Sequence, residues 1–437
     1  MLDALHVLKH ALLEGRLMFR DRAALESHQE RQIRQHLRWV ALHSPATARR
    51  FQRAGLTLGR WRELPPTGKA EMMADFDTLN TAGLRLSEAL RVARQAEDSR
   101  DFTPTLAGTR GPVTVGLSTG TSGNQGVFVA SRAERVQWAG VVLRHLLPDW
   151  PLGLLRGHRI AFFLRAEGGL YRTVQSRALD FRFFDLLRPV QELAAQLTEY
   201  APTVLVGPPS VLRAVAQAGA KAAPQRVVSV AEVLEDAERD LLTRKFGPLV
   251  QVYQATEGLL ALPCPHGHLH LNEAHVHFDW EPLGGGYVRP VVTDFRRTTQ
   301  PIIRHRLDDV LLLGNPCSCG LASRRVERIA GRQDDALLLP GPSGSITVWP
   351  DFLRGALGRV PLLQEYQLQQ TGPESLRLSL HPLHPEVAEQ AVQELRLALT
   401  RTGVSVNTLQ IDVQPWTAPA PGVKRRRVQR LFRGETQ

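Results

Sequence analysis

Lysine is nearly missing from this chain. Of 54 basic lysine and arginine side chains only five are lysine, namely Lys9, Lys69, Lys221, Lys245 and Lys424, so arginine carries the net charge of +11. Cysteine is scarcer still, with three in 437 residues, all between 264 and 319. An odd count with no secretion signal argues against a disulfide framework. No run of ~18 apolar residues occurs, so no membrane-spanning helix is expected. The first residues place Leu5, Leu8 and Leu12 at helical spacing but lack the apolar core and small-residue cleavage site of a signal peptide. The expected location is the cytoplasm. Two phosphate fingerprints are absent as well: there is no Gly-Lys-Ser/Thr of a P-loop, and no Gly-x-Gly-x-x-Gly at a strand end. A basic balance can serve nucleic acid, an anionic surface or anionic substrates. The arginines are scattered, however, and the one dense run is Lys424-Arg425-Arg426-Arg427, so nucleic acid is not the expected partner.

What is present begins with a glycine- and hydroxyl-rich stretch, Ser118-Thr119-Gly120-Thr121-Ser122-Gly123-Asn124-Gln125-Gly126. An alternating run, 113–117, leads into it and a helix from about 131 to 147 follows. Glycines let a backbone approach phosphate closely, with its N–H groups facing the oxygens. Read alone, the stretch is equally a polar turn. Residues 1 to about 100 read as helical. From about 101 to 260 strands alternate with helices: 159–164, 203–206, 227–230 and 250–253 are strands, a helix capped by Ser210 follows 206, and another spans 232–246. Such alternation predicts a parallel α/β core with ligands beyond the carboxyl ends of the strands. Residues 261–333 are rich in His, Gly and Pro and read as a β-rich part. The tail reads as strand, helix, strand over 376–380, 386–399 and 409–413. The expected architecture is α/β: a large domain over 1–333 and a small α+β domain over 334–437.

Further short segments carry candidate chemistry. They are Ser229-Val230-Ala231-Glu232, Tyr253-Gln254-Ala255-Thr256-Glu257, Pro301 through Arg304-His305-Arg306-Leu307-Asp308-Asp309, Gly331-Arg332-Gln333-Asp334-Asp335, and Pro421-Gly422-Val423-Lys424. Singly, each reads as a loop or a charged strand end. Together with the glycine stretch, in this order, they resemble the motifs of adenylate-forming enzymes, the acyl-CoA synthetase superfamily. The likeness is to the phenylacetate-CoA ligase and coenzyme F390 synthetase branch, and it spans Leu64 to Lys424.

The resemblance implies an ATP-binding site. Ser118, Thr119, Gly120, Thr121, Ser122 and Gly123 would cradle phosphate, and Thr256 would contact it. Glu257 would hold Mg²⁺, whose preference for carboxylate oxygen fits the residue type. Ala231 and Glu232 would lie by the adenine, with Tyr253 beside the nucleotide. Asp309 would accept the ribose hydroxyls, Asp308 being the alternative one register away, and Arg332 would contact ribose. Asp334 would be a hinge, and Lys424 would reach the substrate carboxylate and α-phosphate. The departures are Gln254 for Gly, His305 for Tyr, Leu307 for Thr, and no lysine in the glycine stretch.

The cysteines make a separate case. Cys264 opens Cys-Pro-His-Gly-His-Leu-His, and Cys317-Ser318-Cys319 is a tight pair. Two close thiols, a distant thiol and a histidine suit tetrahedral Zn²⁺ in a structural site, although one intervening residue is tighter than the usual spacing. His270 lines up with a histidine of the branch and is preferred to His266 and His268. Unmetallated buried thiols are the alternative.

The expected function is therefore ATP-dependent activation of a carboxylic acid, an aryl acid by the resemblance, followed by transfer to a thiol of CoA or of a carrier-protein phosphopantetheine. The alternatives are adenylyl transfer to a phenolic hydroxyl, as in F390 synthetases, and a basic binding protein without catalysis.

Overall fold

The computed structural model describes residues 2–117, 126–164, 178–342, 344–419 and 425–432. The glycine stretch from Ser118 to Gly123 and the residue Lys424 lie outside them. Among the described residues no helix is long and apolar enough to cross a membrane.

The N-terminal hundred residues are mainly helical, with Leu2–Glu14, Arg22–His43, Pro45–Arg53 and Leu86–Ser99 the longest pieces. Arg22–His43 starts where the Asp21 carboxylate accepts the Ala24 N–H. It ends at Ser44, which caps the next helix through its hydroxyl ahead of a first-turn proline. Ile33, Leu37 and Val40, on one helical face, pack with Phe51, Trp61, Phe295 and Ile303 of the large lobe.

At the centre is a five-stranded parallel sheet, in spatial order Leu179–Asp185, His158–Leu164, Val204–Gly207, Arg226–Ser229 and Leu249–Gln251. Its inner strands are apolar on both faces because both faces are covered. Ala161, Phe163, Leu205 and Val227 meet the helices Val190–Tyr200, Pro209–Gln217 and Asp236–Phe246. Ile160, Val204, Val206 and Val228 face the helix Arg132–Leu146, here called the central helix. The edge strand Leu179–Asp185 was not foreseen. Nor is Ser210 a cap: Pro209 opens that helix after Pro208, and the Ser210 N–H goes to Glu232 at 3.3 Å.

The glycine stretch sits in a different setting from the one expected. It joins Gly111–Leu117 to Val127–Ser131, which pair antiparallel with Leu117 opposite Val127. With Thr105–Gly108 they form a three-stranded antiparallel sheet. The chain therefore returns as a strand before the helix begins, because Val127 and Val129 alternate inward and are buried. The central helix then opens with a capping box between Ser131 and Glu134. The same Glu134 carboxylate accepts the N–H groups of Thr298 at 2.7 Å and Thr299 at 2.8 Å, fixing the helix start to the β-rich part.

That part contains a small sheet of Tyr253–Ala255, Gly258–Pro263 and Leu269–Leu271, and a larger one built on Val276–Gly284, Tyr287–Asp294, Asp309–Leu313 and Val326–Arg332, with Ile302–Arg306 alongside. After the short turn Gln333–Asp335 the chain forms a smaller lobe with its own core, from Leu337 to Val428. Its four-stranded sheet runs Gln410–Pro415, Ser375–His381, Glu365–Gln370, Val428–Arg430, with Pro385–Arg401 supplying Val387, Ala391 and Leu395 to that core. The strand Glu365–Gln370, with Tyr366 and Leu368 buried, is additional to the strand, helix and strand expected.

Candidate functional site

A cavity of about 570 Å³ lies between the carboxyl edge of the parallel sheet, the central helix and the β-rich part. Ala231, Glu232, Tyr253, Thr256, Glu257, Asp309 and Arg332 all line it. Segments far apart in the chain thus converge on one space.

Local backbone places each of them. Ala231 follows the strand Arg226–Ser229 with φ 68°, a left-handed conformation uncommon for a residue with a Cβ. The Tyr253 hydroxyl donates to Asp309 at 2.6 Å. Burial, reinforced by the Asp309 charge, pushes that phenol well above its ordinary value, so it remains a donor. Asp309 and Arg332 are cross-strand partners, with Nε and Oδ1 3.8 Å apart. Asp308 also borders the cavity but is held by Arg289 at 2.9 Å.

Thr256 and Glu257 form the turn between two antiparallel strands. The Thr256 hydroxyl donates to Glu257 at 2.9 Å, and Arg297 donates to the Thr256 carbonyl at 3.0 Å. Glu257 is 8% exposed, and its carboxylate lies 3.7 Å from His305 Nε2. Burial holds His305 below its ordinary pKa, so at neutral pH it is an uncharged neighbour.

Lys69 was missed from sequence. Its segment is tied to the strand Ile302–Arg306 by the Thr67 N–H to the Arg304 carbonyl at 3.0 Å and the Arg306 N–H to the Thr67 carbonyl at 2.8 Å. Glu71 accepts the Gly68 N–H at 2.6 Å and so starts the short helix that carries Lys69. Lys69 lines the cavity; burial pulls its ammonium pKa down, and the Glu257 charge opposes that. Lys69 thus brings a lysine to the same cavity as Glu257 and Arg332. The one signal in the sequence is a lysine after Gly68 in a chain with few lysines.

Asp334 is exposed on the turn that joins the two lobes and is not among the cavity residues. Beside it Asp335 is buried and paired with Arg426. The arginines after Lys424 are therefore no solvated basic tail. Arg427 pairs with Glu235 and, at 3.0 Å, with Glu238; Arg425 pairs with Glu365. Arg213 pairs with Glu365 and stands 3.6 Å from Glu238, and Arg354 stands 3.7 Å from Glu235. Glu235, Glu238 and Arg213 belong to the large lobe and the others to the small one, so a buried ionic seam joins the two.

Away from the cavity, the ligand atoms of Cys264, His270, Cys317 and Cys319 all lie within 4.8 Å of one another. His270 Nδ1 faces the Ser323 carbonyl at 2.8 Å, which directs Nε2, 3.6 Å from Cys319 Sγ, into the cluster. A second hydrogen bond of this kind is what orients metal-binding imidazoles. Burial pushes the Cys264 thiol up to about 11, whereas the Cys319 N–H is the main cause holding Cys317 down at about 5. His268 contacts Cys317 at 3.1 Å, and His266 contacts Ser318 at 3.1 Å; neither belongs to the four-residue group.

Comparison with known proteins bears on the fold. No family model matches. Over 118 residues, 26% of this chain, it is 30% identical to Protein CapK of Staphylococcus aureus, and that match spans about a quarter (26%) of the relative's length. A 2-hydroxyisobutyryl-CoA ligase, solved in the postadenylation state with 2-HIB-AMP, superposes with a TM-score of 0.66 at 17% identity, covering 92% of this chain and 88% of that one. This is the adenylate-forming ligase fold. A GH3.15 acyl acid amido synthetase superposes with a TM-score of 0.58 at 12% identity over 92% of this chain and 87% of that one. In an adenylate-forming fold with two lobes, the ionic seam sets how the lobes meet.

Removing one partner of a buried ion pair leaves the other charged and unpaired, at a cost of about 3–5 kcal/mol. Arg427→Ala, which strands both Glu235 and Glu238, is expected to lose stability of that order in urea denaturation of the full chain. A change within the roughly 0.5 kcal/mol typical of surface substitutions would contradict the seam.

Proposed function

We propose that the chain is an AMP-forming ligase that activates a carboxylic acid with ATP and passes the acyl group to a thiol, either CoA or the phosphopantetheine of a carrier protein. We place it in the phenylacetate-CoA ligase and F390 synthetase-like branch. The observation that carries this reading is the convergence of Ala231, Tyr253, Thr256, Glu257, Asp309 and Arg332 on the polar end of one cavity whose other end is apolar.

In the first half-reaction a carboxylate oxygen of the acid attacks the α-phosphorus of ATP. The bond from that phosphorus to the bridging oxygen breaks, and the oxygen leaves with pyrophosphate, keeping the electron pair. In the second, the thiol sulfur attacks the acyl carbon and loses its proton, and the acyl–oxygen bond breaks to release AMP.

The protein's part is positioning and charge stabilisation. Asp309, oriented by Tyr253, accepts the ribose hydroxyls, and Arg332 lies beside them. Ala231 and Glu232 flank the adenine. The Thr256 hydroxyl meets phosphate, and Ser118 to Gly123 supply backbone N–H groups. Lys69 places a positive charge at the phosphate end. Glu257, a carboxylate on the same wall, fits Mg²⁺, which wants oxygen ligands and neutralises phosphate charge when bound. Lys424 reaches the α-phosphate; rotation of the small lobe about Asp334 then withdraws it and admits the thiol. The acid is apolar. The aryl acid implied by the resemblance is one such acid, and Phe128, Trp138, Phe162 and Phe181 on the cavity wall would meet a ring as they would an alkyl group.

The cysteine cluster we read as a structural Zn²⁺ site. Three thiolates and one imidazole, from Cys264, Cys317, Cys319 and His270, would hold it and would leave no open position for chemistry.

Acid-dependent pyrophosphate release by the purified chain tests the activation step. Lys69→Met is expected to lower kcat/KM by about 10²–10³, the usual loss when one charge-stabilising donor is removed. Lys424→Ala should also reduce it sharply. Failure to release pyrophosphate with any acid would overturn the reading. Metal analysis after purification without chelator should find one zinc per chain, lost in Cys317→Ser; zinc-free, folded wild-type protein would remove the structural site.

A further inference from the structure

The apolar end of the cavity is far deeper than one aromatic ring. The central helix lines it from Glu134 to Leu146, a span of roughly 18 Å at the helical rise. On the sheet side the lining descends from Ala231 to Val204, which is level with Arg226 at the start of its strand and pairs with Ile160. The four-residue strand Arg226–Ser229 covers about 10 Å, and Val230 and Ala231 carry the lining beyond its carboxyl end. Both walls therefore reach from that end to the opposite edge, and the space runs the full depth of the sheet. Its floor is fixed: the Arg226 guanidinium donates to the carbonyls of His145 at 3.3 Å and Leu146 at 3.2 Å, tying the end of the helix to the opposite edge of the sheet.

The lower wall contributed by helix and sheet is wholly apolar: Val142, Leu143, Leu146, Leu147, Ile160 and Val204. Polar groups on the remaining wall form a hydrogen-bonded chain. Asp294 accepts the Arg296 N–H at 2.8 Å, Arg296 donates to His275 at 3.1 Å, and His275 pairs with Glu14 at 2.7 Å. A single ring seated near the nucleotide residues would leave the lower half as an empty apolar void, which is unfavourable in proportion to its volume.

We propose that the acid activated here is a long unbranched aliphatic acid, in place of an aryl acid. Its carboxylate lies toward Thr256 and its methyl end rests among Leu146, Leu147, Ile160 and Val204. This rests on the reading of the cavity as an acid-activating site. The chemistry of activation is unchanged; what the depth adds is selection by chain length.

Pyrophosphate release measured on the full chain with straight-chain acids from butanoate to tetradecanoate, beside benzoate and phenylacetate, decides it. The expected result is kcat/KM rising about fourfold per added methylene from hexanoate to dodecanoate, the equivalent of ~0.8 kcal/mol each. Dodecanoate should then exceed both aryl acids by more than about a hundredfold, as several such steps compound. Val142→Trp, which fills the shaft partway down, should lower the dodecanoate-to-hexanoate ratio at least tenfold. If that variant does not fold, the wild-type series alone decides. Turnover of aryl acids with dodecanoate inert would overturn the chain-length proposal and leave acid activation standing. Turnover of no acid would overturn both.

Discussion

The structure depends most on the ionic seam between its two lobes. Glu235 and Glu238 at the start of one large-lobe helix, with Arg213 on the neighbouring helix, are matched by Arg354, Glu365, Arg425 and Arg427 of the small lobe. Each side chain is under a fifth exposed in these pairs. Desolvation offsets much of the Coulomb gain of buried ion pairs, so such a seam selects one arrangement without welding the lobes together. An apolar seam would expose oil to water on opening, whereas arginines and glutamates rehydrate. That suits the turning of the small lobe proposed between the two half-reactions. It also fixes the strand Val428–Arg430 and the residues just after Lys424, the position proposed to act at the α-phosphate.

The cavity depends on a second constraint, the meeting of the β-rich part with the parallel sheet. Glu134 and Arg297 are the clamps. Glu134 holds the backbone of Thr298 and Thr299, and Arg297 holds the carbonyls of Thr256 and, at 3.3 Å, Val129. These two residues bring the Thr256–Glu257 turn against the start of the central helix. The polar end, proposed to bind the nucleotide, and the apolar shaft, proposed to take an acyl tail, are therefore two ends of one space.

Much of this was legible in the sequence, and the parts that were not have a common cause. Apolar runs such as 203–206 and 227–230 announced a buried parallel sheet, and short motifs named Ala231, Thr256, Glu257, Asp309 and Arg332, which do share a cavity. Clustering of all three cysteines anticipated their approach to His270. The misses concern partners distant in sequence. Nothing local says that Arg427 meets Glu235, or that Lys69 shares a cavity with Glu257. Nor does the charge of Arg425 to Arg427 say that they are buried, because charge alone carries no information about burial. The glycine stretch was taken as a strand-to-helix turn because the return strand Val127–Ser131 is only five residues long and runs straight into a helix cap. The depth of the shaft comes from how far Arg226 draws the central helix across the sheet, a tertiary fact with no motif.

The central claim is that these scattered segments enclose a single nucleotide. Backbone hydrogen exchange with and without a non-hydrolysable α,β-methylene ATP and magnesium tests it most directly. The account predicts slowed exchange together at 67–70, 231–233, 253–258, 305–309 and 330–332. Slowing confined to other regions, or none at saturating nucleotide, would contradict it.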